Sequence, residues 1–490
     1  MATLITFIIY LALMLFIGVI GYRRTNDLSD YYLGGRTLSP SVAALSAGAS
    51  DMSGWLLLGL PGAIYFSGLS EAWIAVGLSI GAYLNWQFVA KRLRTYTEVS
   101  NNSITIPDFF ENRFKDNTRI LRIVSAIVIL FFFTIYTASG MTAGAKLFSS
   151  SFDLTYTQGL WIGAIVIIAY TFLGGFIAVS LTDFIQGSLM FLALIVLPII
   201  ALVELGGWQE TLNIIGEIDT GHLQMFAGVG LIAIISNLAW GLGYFGQPHI
   251  LVRFMGMRSH KDVPVARFIG TTWMILSLYG AIFVGFIGFA YVQQNGIELA
   301  DAEGIFILLS QLLTHPIIAG ILLAAILSAI MSTIDSQLLV SSSALAGDIY
   351  KGLFRKEASN KEQMFIARLS IILIAIIALF LGRDPESSVL DLVSYAWAGF
   401  GASFGPLILL GLFWKRITAP GAIVGMISGA ITVVVWANIE VKDPNHILNL
   451  YEIIPGFLIN LILAIVVSLL TKPKQEMIDE FEKAKQLAKE

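Results

Sequence analysis

The chain has 490 residues, of which 57% are hydrophobic and only 13% charged, and its formal net charge is −4. A mean hydropathy of +0.80 excludes an ordinary soluble domain, and no nucleic-acid partner is expected. With no cysteine at all, disulfides, thiolate metal sites and cysteine nucleophiles are excluded as well.

Taken in chain order, apolar runs begin near residues 2, 41, 70, 120, 157, 183, 228, 267, 303, 364, 389, 419 and 452. Each is about 20 residues long, enough for a helix rising 1.5 Å per residue to cross a hydrocarbon core of about 30 Å. The expected fold class is therefore an all-α polytopic membrane protein with about thirteen transmembrane helices, embedded in a lipid bilayer. The first run, TLITFIIYLALMLFIGVIGY, has no basic residue before it and no small-x-small cleavage site, so it is expected to remain as a helix. Placing the N-terminus outside and the C-terminus inside leaves only Lys146, Arg383 and Lys442, of 29 Lys and Arg, on the outer side. In this count Arg253 belongs to an inside loop.

The second run holds ALSAGASDMSGWLLLGLPG, in which Gly48, Ser50, Ser53 and Gly54 crowd around Asp51 and predict a break. The seventh repeats the anomaly in NLAWGLGYFGQPHI, where three glycines precede Pro248. Both breaks open a block of five runs, at 41–206 and 207–416, and an odd block size inserts the two blocks with opposite orientation. Broken helices at matching positions of inverted repeats point to a substrate site near the bilayer midplane. Residues 1–40 form the first span and its cytoplasmic loop, 417–471 the last two spans, and 472–490 a mixed-charge cytoplasmic tail.

A carboxylate inside a membrane costs at least about 2.5 kcal/mol, so Asp51 needs a cation, water or a polar cavity. It either caps the second half-helix through the Ser53 or Gly54 amide, or attracts a cation that neutral oxygens then coordinate. Such oxygens occur in AAILSAIMSTIDSQLLVSSS, where Ser332, Asp335 and Ser336 share one helical side with Ala329 one turn earlier. The alternative is hydroxyls bonded back to their own i−4 carbonyls. Asp183 follows GGFIAVSLT and either caps a helix at the cytoplasmic interface or has a functional role.

The segments GASDMSGWLLLGLPG, GGFIAVSLTDFIQ, WGLGYFGQPHILVRFM and AIMSTIDSQLLVSSS closely resemble those of the sodium/solute symporter family, in its proline-carrying bacterial branch. The resemblance implies the inverted-repeat fold of the leucine-transporter type and sodium-driven uptake of L-proline across a bacterial inner membrane. It places sodium on backbone oxygens of Ala49, Met52 and Ala329 and on hydroxyls of Ser332 and Thr333, with Asp51 needed for sodium. Ser53, Gly54, Tyr136, Trp240, Tyr244 and Pro248 match positions linked to substrate. Asp183, Ser332, Asp335 and Ser336 match a second cation site, although Asp335 stands where site-bearing members have a hydroxyl; the resemblance thus implies two carboxylates at one small cavity, which need a second sodium or a shared proton, and the departure favours a proton-sharing or vacant site. Proline would need amide donors for its carboxylate and a flat apolar wall, which Tyr136, Trp240 and Tyr244 could supply.

A carrier for another small amino or carboxylic acid, a channel, and a transporter-like sensor are the competing functions. An enzyme or nucleotide-driven pump is not expected, because the five histidines lack paired metal spacing and no Walker loop or serine elbow is present.

Overall fold

The computed structural model describes residues 2–23, 28–171, 175–226, 228–439, 441–443 and 445–489. Among them every regular element is helical, and the one β-bridge joins Leu38 to Met257. In chain order the α-helices are α1 (Ala2–Arg23), α2 (Leu28–Leu33), α3 (Pro40–Asp51), α4 (Leu60–Ser67), α5 (Ala72–Leu84), α6 (Lys91–Val99) and α7 (Ile106–Phe114). There follow α8 (Ile120–Phe152), α9 (Tyr156–Thr171), α10 (Phe176–Glu204), α11 (Trp208–Ile218), α12 (Leu231–Ala239), α13 (Pro248–Met255) and α14 (Val263–Gln294). The chain ends with α15 (Ile305–Leu313), α16 (Pro316–Ser343), α17 (Asn360–Leu381), α18 (Val389–Phe413), α19 (Ala419–Trp436), α20 (Ile453–Leu470) and α21 (Gln475–Leu487).

Ten helical stretches among the described residues are long and apolar enough to cross a membrane, which makes the protein multi-pass. The expected thirteen runs map onto fewer such stretches for physical reasons. Residues Trp55–Val99 form one continuous 45-residue stretch, and the runs at Tyr156–Thr171 and Leu231–Phe245 are shorter than the rest. Within the long stretch the chain turns at Gly68, whose φ of +74° a side chain would resist. There a Cβ would also lie 2.4 Å from the His222 Cα.

Both predicted breaks are present. Helix α3 stops at Asp51, Met52 leaves helical geometry (φ −80°, ψ 72°), and a wide π-type turn at Trp55–Gly59 leads into α4. Helix α12 tightens into a 3₁₀ segment at Trp240–Phe245, and Pro248 takes the first turn of α13, where its missing N–H costs nothing.

Two starts differ from the sequence expectation. Helix α10 begins seven residues earlier than the run at 183, because Gly175 leads the chain in extended geometry and Phe176 opens the helix. The run starting near 303 divides at Thr314 and His315, so the long helix starts at Pro316.

The serine-rich α16 lies inside the protein, since 83% of its most apolar window is buried against 22% for α1. It packs on α1, α3, α8, α10 and α17, so its hydroxyls meet protein groups instead of lipid.

Candidate functional site: two polar clusters on the broken helices

The end of α3 and the middle of α16 meet through oxygen atoms. The Ser332 hydroxyl donates to the Ala49 carbonyl at 2.7 Å and lies 3.2 Å from the Ala329 carbonyl, while the Thr333 hydroxyl reaches Ala49 at 3.3 Å. Ala49, Met52, Ala329, Ser332 and Thr333 are all buried. Met52 stands one residue beyond the helix end, where its carbonyl is no longer committed to the ladder. Four of the five predicted sodium-ligand residues thus converge around one carbonyl, with Met52 three residues on. Neutral hydroxyl and carbonyl oxygens in this number suit a hard monovalent cation, because each hydroxyl can turn its proton outward and present a lone pair.

Of the two readings of Asp51, the cap is not formed by its carboxylate. Its Oδ2 accepts from the Tyr244 hydroxyl at 2.5 Å, and no partner reaches Oδ1 among the described residues. The Asp51 carbonyl receives the Tyr136 hydroxyl at 3.1 Å and the Trp55 indole at 3.4 Å. Local capping falls to Ser53, whose Oγ accepts from the Trp55 amide at 3.4 Å. Beside the carboxylate lies a cavity of about 20 Å³, lined by residues including Gly48, Asp51, Asn85, Tyr244 and Met274.

Aromatic rings enclose this break. Trp240 stands 5.9 Å from Trp55 and stacks with Tyr451 at 5.6 Å and Trp397 at 6.5 Å. The Trp397 indole donates to the Trp240 carbonyl at 2.7 Å, which holds the 3₁₀ segment. Ser53, Tyr136, Trp240 and Tyr244 therefore gather around one break. Gly54 and Pro248 do not join them. A Cβ on Gly54 would meet the Ala143 Cβ at 2.7 Å and Ile330 Cγ1 at 3.3 Å, while Pro248 lines a separate crevice with Tyr32, Ile104 and Leu339. Sequence reasoning missed Trp55 and Trp397. Trp55 was legible as an aromatic one turn past Asp51, and Trp397 comes from α18, whose Gly399, Gly401, Gly405 and Pro406 were a signal left unused.

A second cluster surrounds Asp183. Far from capping a helix at the interface, Asp183 lies two turns into α10 and is fully buried. Its Oδ2 accepts from the Ser46 hydroxyl at 2.6 Å and from Arg253 Nη2 at 3.2 Å. The same Nη2 donates to Ser336 Oγ at 2.6 Å, Arg253 Nε to Ser46 Oγ at 3.1 Å, and Nη1 to the His249 carbonyl at 2.8 Å. Asp335 takes the Thr171 hydroxyl on one oxygen. Assigning Arg253 to an inside loop is corrected here, since it is fully buried on α13. A guanidinium thus faces Asp183, where the sequence pointed to a sodium ion or a proton.

Asp51→Asn keeps a side chain able to bond Tyr244 but removes the charge. Proline uptake is expected to fall several-fold or more at low sodium and to recover partly at high sodium. A sodium titration of uptake that overlays the parent curve would reject a role for the charge.

Residues 31–429 match the model of the sodium:solute symporter family. The chain is 55% identical to the high-affinity proline transporter PutP of Bacillus subtilis (strain 168), over 96% of this chain and 98% of that one. It is 53% identical to the sodium/proline symporter of Escherichia coli (strain K12), covering 98% and 96% respectively. A solved Na⁺-coupled sialic acid symporter in a substrate-bound outward-open state shares the fold, with a TM-score of 0.81 at 22% identity, covering 97% of this chain and 99% of that one. Matched over most of its length by the family model and by relatives of more than half identity, the chain belongs to the sodium:solute symporter family.

Proposed function

We propose that the protein is a secondary transporter that couples inward sodium flow to uptake of L-proline by alternating access. The observation that carries this reading is the shared use of one helix break. Ala49 meets the α16 hydroxyls, while Asp51 meets Tyr136 and Tyr244, and Trp55 meets Trp240, only a few residues later. An ion ordering residues 49–52 therefore shapes the backbone against which a small zwitterion would bind. The two relatives above, one named as a proline transporter and one as a sodium/proline symporter, support the choice of cargo.

Sodium would be held by Ala49, Met52, Ala329, Ser332 and Thr333, with Asp51 as the nearby charge. Ser53, Tyr136, Trp240 and Tyr244 would line the substrate. A cavity of about 20 Å³ beside Asp51 holds about one water and is too small for an amino acid, so loading requires the halves of the broken helices to part. The architecture we propose has thirteen crossings, with inverted repeats at 41–206 and 207–416, the N-terminus outside and the C-terminus inside a bacterial inner membrane. Basic residues concentrated on one side and broken helices opening each block support it.

A potential of about 100 mV gives about 2.3 kcal/mol per sodium and a tenfold gradient about 1.4, which together hold substrate about 500-fold accumulated at one-to-one coupling. The test is uptake and counterflow of labelled substrates in proteoliposomes. Proline accumulation that requires an inward sodium gradient is expected. Exchange of another small amino or carboxylic acid in preference to proline would reassign the cargo. Sodium flux without accumulation would turn the reading to a channel, and binding without turnover to a sensor.

A further inference from the structure

The Asp183 cluster has the side chains of a cation site, but its place is taken. We propose that Arg253 is a tethered cation filling the position between Asp183 and Ser336, so that the protein binds one sodium ion, not two. This rests on the sodium-coupled reading above, though not on the identity of the cargo.

Arg253 meets every requirement of a built-in ion. It is fully buried, as are Asp183, Ser46 and Ser336, so none of these charges is softened by bulk water. A lone buried guanidinium is prohibitively costly, and a pair becomes tolerable only when the geometry is good and the remaining hydrogens are met. Here four of the five N–H donors are met, from four helices. Ser46 of α3, His249 of α13 itself, Asp183 of α10 and Ser336 of α16 take its donors at 2.6 to 3.2 Å. The guanidinium carbon also stands 5.2 Å from the centre of the Phe176 ring, a favourable cation–π distance.

The network closes on itself through Asp183 Oδ2, while Asp183 Oδ1 and Asp335 Oδ2 have no hydrogen-bond partner among the described residues. Ser46 donates to the carboxylate that Arg253 pairs with and accepts from Arg253 Nε, so both its proton and a lone pair are used. Ser336 accepts from Arg253 and gives its own proton to the Ser332 carbonyl at 2.8 Å. A sodium ion here would have to compete for the lone pairs of Ser336 and the Oδ2 of Asp183, against a cation that cannot diffuse away. Its covalent tether gives Arg253 an effective concentration in the millimolar range or above, set by geometry and not by the medium. Nor would deprotonation vacate the position, because arginine stays charged in proteins.

The connection to the main site is short. Ser332, whose hydroxyl belongs to the sodium-ligand set, receives Ser336 on its carbonyl and is thereby linked to Arg253 through one residue. Arg253 rides on the second half of the broken helix that also carries Trp240 and Tyr244. The tethered charge thus fixes how this half-helix seats on α10 and α16 without an exchangeable ion.

Equilibrium binding of ²²Na⁺ to the purified full chain counts the ions directly and needs no substrate. The parent is expected to bind one sodium ion per protein at saturation. Arg253→Gln leaves an amide of related shape but no charge, and is expected to raise the count to two and to steepen the sodium dependence of uptake. Adding Asp183→Asn to Arg253→Gln should return the count to one, and Arg253→Lys, which keeps the charge, should leave it at one. Two sodium ions bound by the parent would overturn the proposal, and this measurement requires no variant to fold. A folded Arg253→Gln protein that still binds one ion, with a parent-like sodium curve, would overturn it equally. Failure of the proline reading would show in the cargo assays and leave the sodium count untouched.

Discussion

Ser332→Ala and Thr333→Ala are each expected to raise the sodium concentration for half-maximal uptake by about tenfold or more, with much less effect on which substrate is chosen. The Ser332 hydroxyl lies 2.7 Å from the Ala49 carbonyl and that of Thr333 at 3.3 Å, so both occupy the space in which an ion would replace the hydroxyl protons. Removing one oxygen from a small neutral set deletes an interaction with a full charge, worth about 1.5 to 3 kcal/mol. That corresponds to about 10- to 150-fold in affinity. Neither alanine should disturb the fold strongly, because the deleted atom is small and its backbone stays helical. Serine at 333 and threonine at 332 keep the oxygen and should retain most sodium affinity, which separates ligand loss from a packing effect. The readout is proline uptake against sodium concentration in proteoliposomes. Half-saturation unchanged in both alanine variants would remove these residues from the ion site.

How much of this was legible follows from the kind of signal each residue leaves. The broken helices were visible because glycine, serine and proline are poor interior residues and cluster around Asp51 and before Pro248. The α16 hydroxyls were visible as polar interruptions on one face of an apolar helix. What periodicity does not carry is who stands opposite. From the sequence Asp51 could either cap a half-helix or recruit a cation, and only the fold shows that its carboxylate bonds Tyr244, 193 positions away. Arg253 was misplaced for the same reason. A basic residue after an apolar stretch resembles a loop anchor, and only the packing of α13 against α3, α10 and α16 reveals its carboxylate. Gly54 is the subtler case. The family resemblance linked it to substrate, whereas the missing side chain is required by Ala143 and Ile330. Sequence reported the anomaly and structure its partner.

That last distinction leads to the largest effect expected of a single substitution at the break. Gly54→Val should weaken proline binding by at least about tenfold and reduce the mutual tightening of sodium and proline toward none. A Cβ at position 54 would sit 2.7 Å from the Ala143 Cβ and 3.3 Å from Ile330 Cγ1, so even one carbon forces a shift, and valine adds two more. Overpacking of this kind costs about 1 to 3 kcal/mol, and it acts here on two sites at once. Displaced from α8, residues 52–54 lose their position against Tyr136. Displaced from Ile330, they lose register with Ser332 and Thr333, the second and third residues beyond it on α16. In the parent the linkage must be reciprocal: whatever factor sodium contributes to proline affinity, proline contributes to sodium affinity. Equilibrium binding of labelled proline with and without sodium, and of ²²Na⁺ with and without proline, gives the two factors independently. The parent should return equal factors well above one, and Gly54→Val two factors close to one. Proline affinity in the parent that ignores sodium would refute coupling through the break at residues 49–54, whatever the variant does.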